Sequence, residues 1–423
     1  MANLSAADGS RRTDPTWSVD GFGHRARRRT LAQGLCVTVG LGTGLLLPHL
    51  TVHPMIGADR GADLLPSLGF GVIGLVSIIF SLLFLVVQWA ATTFSPRLGL
   101  FRDDPLVWRS FAFALGVFVF CVTSALSLGT RTEVSIVVPS IAMVLVLVAL
   151  VFLYTLQSRA FASIQLGPCL HAITGRSHRV IATVYDRPPG DEKAAGPTLP
   201  PATGGTPVTW PGPGAVLRGI DMPALVEAAR AHDCLIVLCQ ATGQLLIRGR
   251  PVAHIHGGRL PEDVILAALT PGVERGFDRN PEFGLRLLAD IALRGLSPAI
   301  NDPATSVQAL DHIEDLLLLL AAQDLDVGET RDSEGTSRVW VPLPDWGRYV
   351  RTALVDVINC AQTAPLVLQR IRLLLRHVLD AGPETRRPLL RERLAWVERL
   401  VERGFPVAPA STLAAGTDGR RPS

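Results

Sequence analysis

One lysine, Lys193, occurs in the 423 residues of this chain, and arginine carries the rest of its basic charge. Walker-type phosphate loops, protein-kinase ATP sites and Schiff-base enzymes all depend on a placed lysine amine. Lys193 lies in Pro-Pro-Gly-Asp-Glu-Lys-Ala-Ala-Gly-Pro, a linker with nothing to hold an amine rigid, and this sets those classes aside. The six cysteines, Cys36, Cys121, Cys169, Cys234, Cys239 and Cys360, form no Cys-x-x-Cys pair. Cys234 and Cys239 fall five apart on an expected strand and so face opposite sides of it. A disulfide framework or structural zinc is not expected; small buried hydrophobes are. Neither Gly-x-Ser-x-Gly nor His-Glu-x-x-His occurs, so serine-hydrolase and zincin readings lack their signatures. A net charge of +3 is too small for the concentrated basic face of a nucleic-acid domain. No nucleic-acid partner and no cofactor are expected.

Long apolar runs are what the sequence does have. Hydrophobic residues make up 48% of the chain and concentrate between Thr30 and Gln157. Residues 31–52, 68–94, 106–128 and 134–156 are each long enough to cross about 30 Å of hydrocarbon. Arg11, Arg12, Arg25, Arg27, Arg28 and Arg29 precede the first span. Arg97, Arg102 and Arg109 separate spans two and three, and Arg159, Arg176 and Arg179 follow the fourth. The opposite side carries Arg60 and Arg131. The arginine bias, with Trp89, Trp108 and Tyr154 as interfacial anchors, predicts cytoplasmic termini. Gly69-Phe-Gly-Val-Ile-Gly74 matches a dinucleotide-binding pattern, but it opens a span and follows no strand, so helix packing is its reading. Gly40, Gly42 and Gly44 in span one, and Ser77 and Ser81 in span two, are also read as packing positions. No span has a charge at its centre, which disfavours an ion-coupled transporter and leaves a Ser/Thr/Gly-lined pore in a homo-oligomer open.

The expected fold is a membrane α-helical unit of four transmembrane helices plus a cytosolic α+β domain with a helical C-terminal part. A basic tail covers 1–30, the membrane unit 31–157 and a helical connector 158–187, where Val180, Ile181 and Val184 form a stripe. Residues 188–214, dense in Pro, Gly and Thr, read as a flexible insertion. The α+β domain covers 215–325, three helices fill 338–403, and 406–423 reads as a disordered tail. In the last helix Leu390, Leu394, Val397 and Val401 make an apolar stripe, read as core packing, with a membrane-surface helix as the alternative.

Three runs carry a family resemblance: Gly214-Ala-Val-Leu-Arg-Gly-Ile-Asp221, Phe283-Gly-Leu-Arg-Leu-Leu-Ala-Asp-Ile-Ala-Leu-Arg294 and Leu296-Ser-Pro-Ala-Ile-Asn-Asp-Pro-Ala-Thr305. With the four spans and Ser95-Pro-Arg-Leu98, they resemble an uncharacterised family of bacterial membrane proteins, domain-of-unknown-function family 2254. The chain departs from the family pattern at Arg275-Gly276, where Arg followed by Thr is expected. The resemblance implies a multi-pass protein of a bacterial inner membrane and supplies no activity or catalytic residue.

Chemistry concentrates on the second and third runs. Residues 281–296 form an apolar helix on which Arg286, Asp290 and Arg294 recur every fourth position. Asp302 is an N-cap with Pro303 after it, starting a second helix of a hairpin. The plain reading is intrahelical ion pairs plus a cap; the sharper one is a polar pocket of Asp290, Asn301 and Asp302, with Arg286 and Arg294 holding an anion. His254 with His256, and Asp311 with His312 and Asp315, have ligand-like spacing but read as ordinary surface, and no metal is expected. The functional expectation is a non-enzymatic sensor, assembly or pore-forming protein with a cytosolic regulatory domain. A membrane-bound enzyme using Asp290, Asn301 and Asp302 is the alternative.

Overall fold

The computed structural model describes residues 20–49, 55–93, 105–128, 133–185, 204–277 and 279–405. The first part of the basic tail, Ser95-Pro-Arg-Leu98, residues 186–203 and the tail from 406 lie outside them.

The apolar runs form α1 (Asp20–Leu46), α2 (Ala58–Thr93), α3 (Pro105–Leu128) and α4 (Val137–Ile164). Leu31–His49, which takes in the 3-10 turn Leu47–His49 after α1, and Asp63–Leu85, Leu106–Leu128 and Val137–Arg159 are long and apolar enough to cross a bilayer. Helix α2 begins well before the expected start at residue 68 and runs through Pro66. A long helix absorbs the one amide lost there, so the proline does not end it. Short strands β1 (Met55–Gly57) and β2 (Glu133–Ser135) pair antiparallel, joining the α1–α2 connection to the α3–α4 connection.

Helix α3 packs against α1, α2 and α4, and α2 also touches α4. Small residues set the α1–α3 distance. A β-carbon on Gly40 would overlap the Gly116 carbonyl, one on Gly116 would sit 2.9 Å from the Cys36 carbonyl oxygen, and one on Gly44 would overlap Thr123. Close approach of this kind drives association where lipid removes any hydrophobic gain. Of the expected packing positions, Gly40, Gly44 and Gly69 serve the bundle, whereas Gly42, Gly71 and Gly74 face open space. Ser77 and Ser81 are exposed.

Beyond a bend at Gln165, α5 (Leu166–Tyr185) leaves the line of α4. The remaining chain builds two lobes on separate cores. The α+β lobe contains β3 (Thr206–Thr209), β4 (Ala215–Ile220), α6 (Met222–Ala231), β5 (Cys234–Leu238), β6 (Leu245–Leu246), β7 (Pro251–Gly257), α7 (Glu262–Ala268) and β8 (Leu269–Gly272). The helical lobe contains α5, α8 (Glu282–Gly295), α9 (Pro303–Ala321), α10 (Trp346–Val350), α11 (Asp356–Cys360), α12 (Pro365–Ala381) and α13 (Arg387–Gly404). Between α9 and α10, β9 (Glu329–Arg331) and β10 (Ser337–Trp340) return to the first lobe. They complete a five-stranded sheet in the order β3-β7-β5-β10-β9, antiparallel except for β5 with β10, beside a three-stranded sheet β6-β4-β8.

Two expected boundaries are corrected. The flexible insertion does not reach 214: β3 pairs with β7, and Trp210 is 2% exposed with its indole N–H on the Pro213 carbonyl at 2.8 Å. Nor does an α+β domain run from 215 to 325. Helices α8 and α9 bury their apolar faces with α5 and α10–α13, and the sheet takes β9 and β10 from the polar stretch after 325. Arg338, 8% exposed, makes that return possible by pairing with Asp332 at 2.7 Å and Asp233 at 2.9 Å. In α13, Leu390 and Val397 are fully buried and Leu394 and Val401 pack on the same core, so the stripe is a packing face.

Candidate functional site

The α8–α9 hairpin forms as its capping residues dictate. Asp302 accepts from the Thr305 amide at 3.2 Å and the Thr305 hydroxyl at 2.6 Å, with Pro303 in the first turn. Asn301 takes a left-handed φ of 48° in the turn. The Ser306 hydroxyl donates to the Ala292 carbonyl at 2.8 Å, and Gly295 leaves room for Ser306 between the helices.

At the opposite end of α8 a cleft of about 340 Å³ opens between the lobes. The α+β lobe contributes Thr242, Gly243 and Gln244 from the turn after β5. Arg275 and Asn280 come from the connection between β8 and α8, Glu282, Phe283 and Arg286 from the start of α8, and Arg348 and Thr352 from α10 and the π-helical turn Arg351–Val355. A π turn recurs at functional sites because its extra residue re-aims side chains. Gly243 has φ 90°, and a β-carbon there would overlap the Asn280 side-chain amide, so the turn closes onto Asn280 only with glycine.

Charge in the cleft is ordered. The Glu282 carboxylate accepts from Arg348 Nη2 at 2.9 Å and Nε at 3.0 Å, and from the Thr352 hydroxyl at 2.6 Å. Arg286 pairs through Nε with Asp290 at 3.1 Å and through Nη1 with Asp356 at 3.3 Å. Asn280 is 6% exposed, and its side-chain amide has no hydrogen-bond partner among the described residues. The amide faces the cleft, so a group that enters can bond to it.

Of the five residues expected at a site, Arg286 alone lines this cleft. Asp290 stands one turn further along as its ion-pair partner, half-buried. Arg294 lies in the last turn of α8, where its carbonyl accepts the Ser297 hydroxyl at 2.7 Å. Asn301 is exposed, and Asp302 is occupied as a cap. The straight 14-residue helix spans about 21 Å, which keeps Arg286 away from the hairpin turn. The cleft residues that sequence reading missed are Thr242, Gln244, Arg275, Asn280, Glu282, Arg348 and Thr352; the Glu282–Arg348 pair joins positions 66 apart and leaves no periodic trace.

His254 and His256 lie on β7 outside the cleft lining, and His312 and His178 are engaged elsewhere. His312 shares a 2.8 Å hydrogen bond with the Thr174 hydroxyl and stacks edge-on with His171, and burial, then His171, lowers its pKa. His178 pairs with Asp315 at 2.6 Å, and Arg370 with Asp311 at 2.5 Å. Among the described residues no three His, Cys, Asp or Glu side chains gather as a metal-binding group.

Helix α5 reaches the elements that line the cleft. A β-carbon on Gly284 would overlap the Ser177 hydroxyl, so α5 and α8 touch closely there, and Arg176 lies 5.8 Å from the Phe277 ring centre. At its last residue the Tyr185 hydroxyl meets that of Tyr349, next to Arg348, at 2.5 Å. Burial pushes the Tyr185 phenol up to about 12 and raises Tyr349 as well.

Residues 30–377 match the family described as predicted membrane protein (DUF2254). An uncharacterized protein of Mycobacterium bovis is 26% identical over 396 residues, covering 87% of this chain and 75% of its own length. An uncharacterized protein of Mycobacterium tuberculosis matches to the same extent. No solved structure matches the chain.

Proposed function

Because this chain belongs to the predicted membrane protein family DUF2254, we propose that it is a multi-pass sensor of a bacterial cytoplasmic membrane. Its two lobes stand on the cytoplasmic side, take up a small ligand in the cleft between them and pass the binding event to the four-helix unit. No chemistry is done on the ligand in this reading. The cytoplasmic placement is supported by arginine: Arg109, Arg159, Arg176 and Arg179 all flank the end of the bundle from which α5 leaves.

One observation carries the reading. Helix α5 follows α4 with a single bend and then lies inside the helical core, touching α8 at Gly284 and α10 at Tyr349. Both partners supply cleft residues, so a shift of α8 against α10 must be felt by α5. Packed interiors transmit such shifts because they are close-packed.

Filling the cleft by mutation stands in for an occupant. In the full-length protein in lipid nanodiscs, Thr242→Trp should alter hydrogen exchange in α5 and at the adjoining end of α4. A change confined to the residues around position 242 would overturn the sensing reading.

A further inference from the structure

We propose that the cleft between the lobes binds a phosphoryl group, as inorganic phosphate or a small phosphate ester. This rests on the sensing reading and names its ligand class. The walls of the cleft are almost all donors. Arg348 gives Nε and Nη2 to Glu282 and retains its Nη1 edge. Arg286 gives Nε to Asp290 and Nη1 to Asp356 and retains Nη2. In both cases carboxylates hold the planar guanidinium in one orientation, which pre-organises the remaining N–H groups. Arg275 makes no ion pair or hydrogen bond with any described residue. The Gln244 side-chain oxygen accepts the Ala241 amide at 3.2 Å, an arrangement that leaves its NH2 to donate. Glu282 is the one carboxylate in the lining, and Arg348 and Thr352 occupy both of its oxygens. What remains on offer is donation, which selects an oxyanion.

Asn280 points to the same ligand independently. It is more than nine-tenths buried, lines the cleft and has no side-chain partner among the described residues, while Gly243 is held at φ 90° to let its amide fit. The Asn280 amide reaches the cleft and is free to bond an acceptor that enters. The first turn of α8 opens at the same place, and its cap position, Pro281, offers no side-chain acceptor. Its leading N–H groups and the positive end of its dipole therefore favour an anion as well.

A phosphoryl group fits this set better than a carboxylate. Three guanidiniums and two amides approach from both lobes, matching acceptor oxygens arranged tetrahedrally rather than a pair in one plane. About 340 Å³ exceeds what bare phosphate fills, and Phe283 gives a small organic group an apolar wall.

The test is titration calorimetry on the full-length protein in phospholipid-free detergent. Inorganic phosphate and glycerol phosphate are compared with malonate and chloride at matched ionic strength. Saturable binding of phosphate or its ester is expected. Arg275→Ala, which breaks no hydrogen bond or ion pair with a described residue, should weaken it about tenfold or more with the unliganded melting temperature nearly unchanged. Asn280→Asp should weaken it through charge repulsion. Binding that appears only when phosphatidylglycerol vesicles are added would support the phosphoryl assignment with a lipid headgroup as its source. Absence of binding to all phosphoryl probes, or unaltered affinity in Arg275→Ala, would overturn the proposal. Binding of malonate alone would also overturn it while leaving the sensing reading intact. Phosphate binding with no change in α5 exchange would do the reverse.

Discussion

Replacing Asp302 by alanine separates a structural cap from a ligand-binding carboxylate. Asp302 satisfies the Thr305 amide and fixes its hydroxyl at the start of α9. Loss of an N-cap of this kind costs about 0.5–2 kcal/mol, and the freed Thr305 hydroxyl can turn to water, so about 1–2 kcal/mol is expected in all. The helix itself survives, because Ala309, Leu310, Ile313, Leu316, Leu317 and Leu320 are fully buried. For a folded unit of this size about 2–4 °C is lost per kcal/mol, giving a fall of about 2–8 °C in thermal unfolding followed by tryptophan fluorescence. Asp302→Asn retains a good cap and should lose only a few tenths of a kcal/mol. The pH dependence has a definite sign. Hydrogen bonds from the Thr305 hydroxyl first, then its amide, hold the Asp302 carboxyl below its usual 3.8. A depressed pKa in the folded state contributes stability that is full above the unfolded value and is lost as pH falls through the folded one. The gap between wild type and Asp302→Ala should therefore be full at neutral pH and close in acid, below about pH 4. An Asp302→Ala protein as stable as wild type at pH 7 would refute the capping argument and return Asp302 to the candidate ligand residues.

Two further outcomes follow from the membrane unit and the corrected boundary. With cytoplasmic termini, a periplasmic reporter should be silent when fused after Ser423 and active when inserted after Thr130; the opposite pattern would invert the topology. Trp210→Ala should cost about 3–5 kcal/mol although it lies in a stretch rich in proline and glycine, and a melting temperature unmoved by that substitution would show that the Trp210 side chain is not holding the edge of the sheet.

Local signals in the sequence were read well, and non-local ones were not. The four apolar runs, the strand that holds Cys234, the Asp302 cap and the α8–α9 hairpin each announce themselves within a few residues, through hydrophobic period or capping chemistry. The Arg286–Asp290 pair is equally local, and it forms. What escaped depends on partners far along the chain. Strand β3 is four residues long in Pro- and Gly-rich surroundings, and only pairing with β7 makes it a strand. Strand β10 is drawn into the sheet, between β5 and the edge strand β9, by parallel pairing with β5, about a hundred positions earlier. The cleft gathers residues from 242 to 352, so no motif could contain it. Asn301 and Asp302, the most distinctive letters of the third run, turn out to shape a turn rather than line that cleft.

The small ribbon of β1 and β2 constrains how the membrane unit can move. It staples the α1–α2 connection to the α3–α4 connection through the pairs Met55 with Ser135, Ile56 with Val134 and Gly57 with Glu133. Spreading the helices at that end breaks backbone hydrogen bonds, whereas the end where α4 passes into α5 carries no such clasp among the described residues. Any rearrangement driven from the lobes thus pivots on the ribbon like a pair of tongs, with its widest travel at the α4–α5 bend and least beside Gly57.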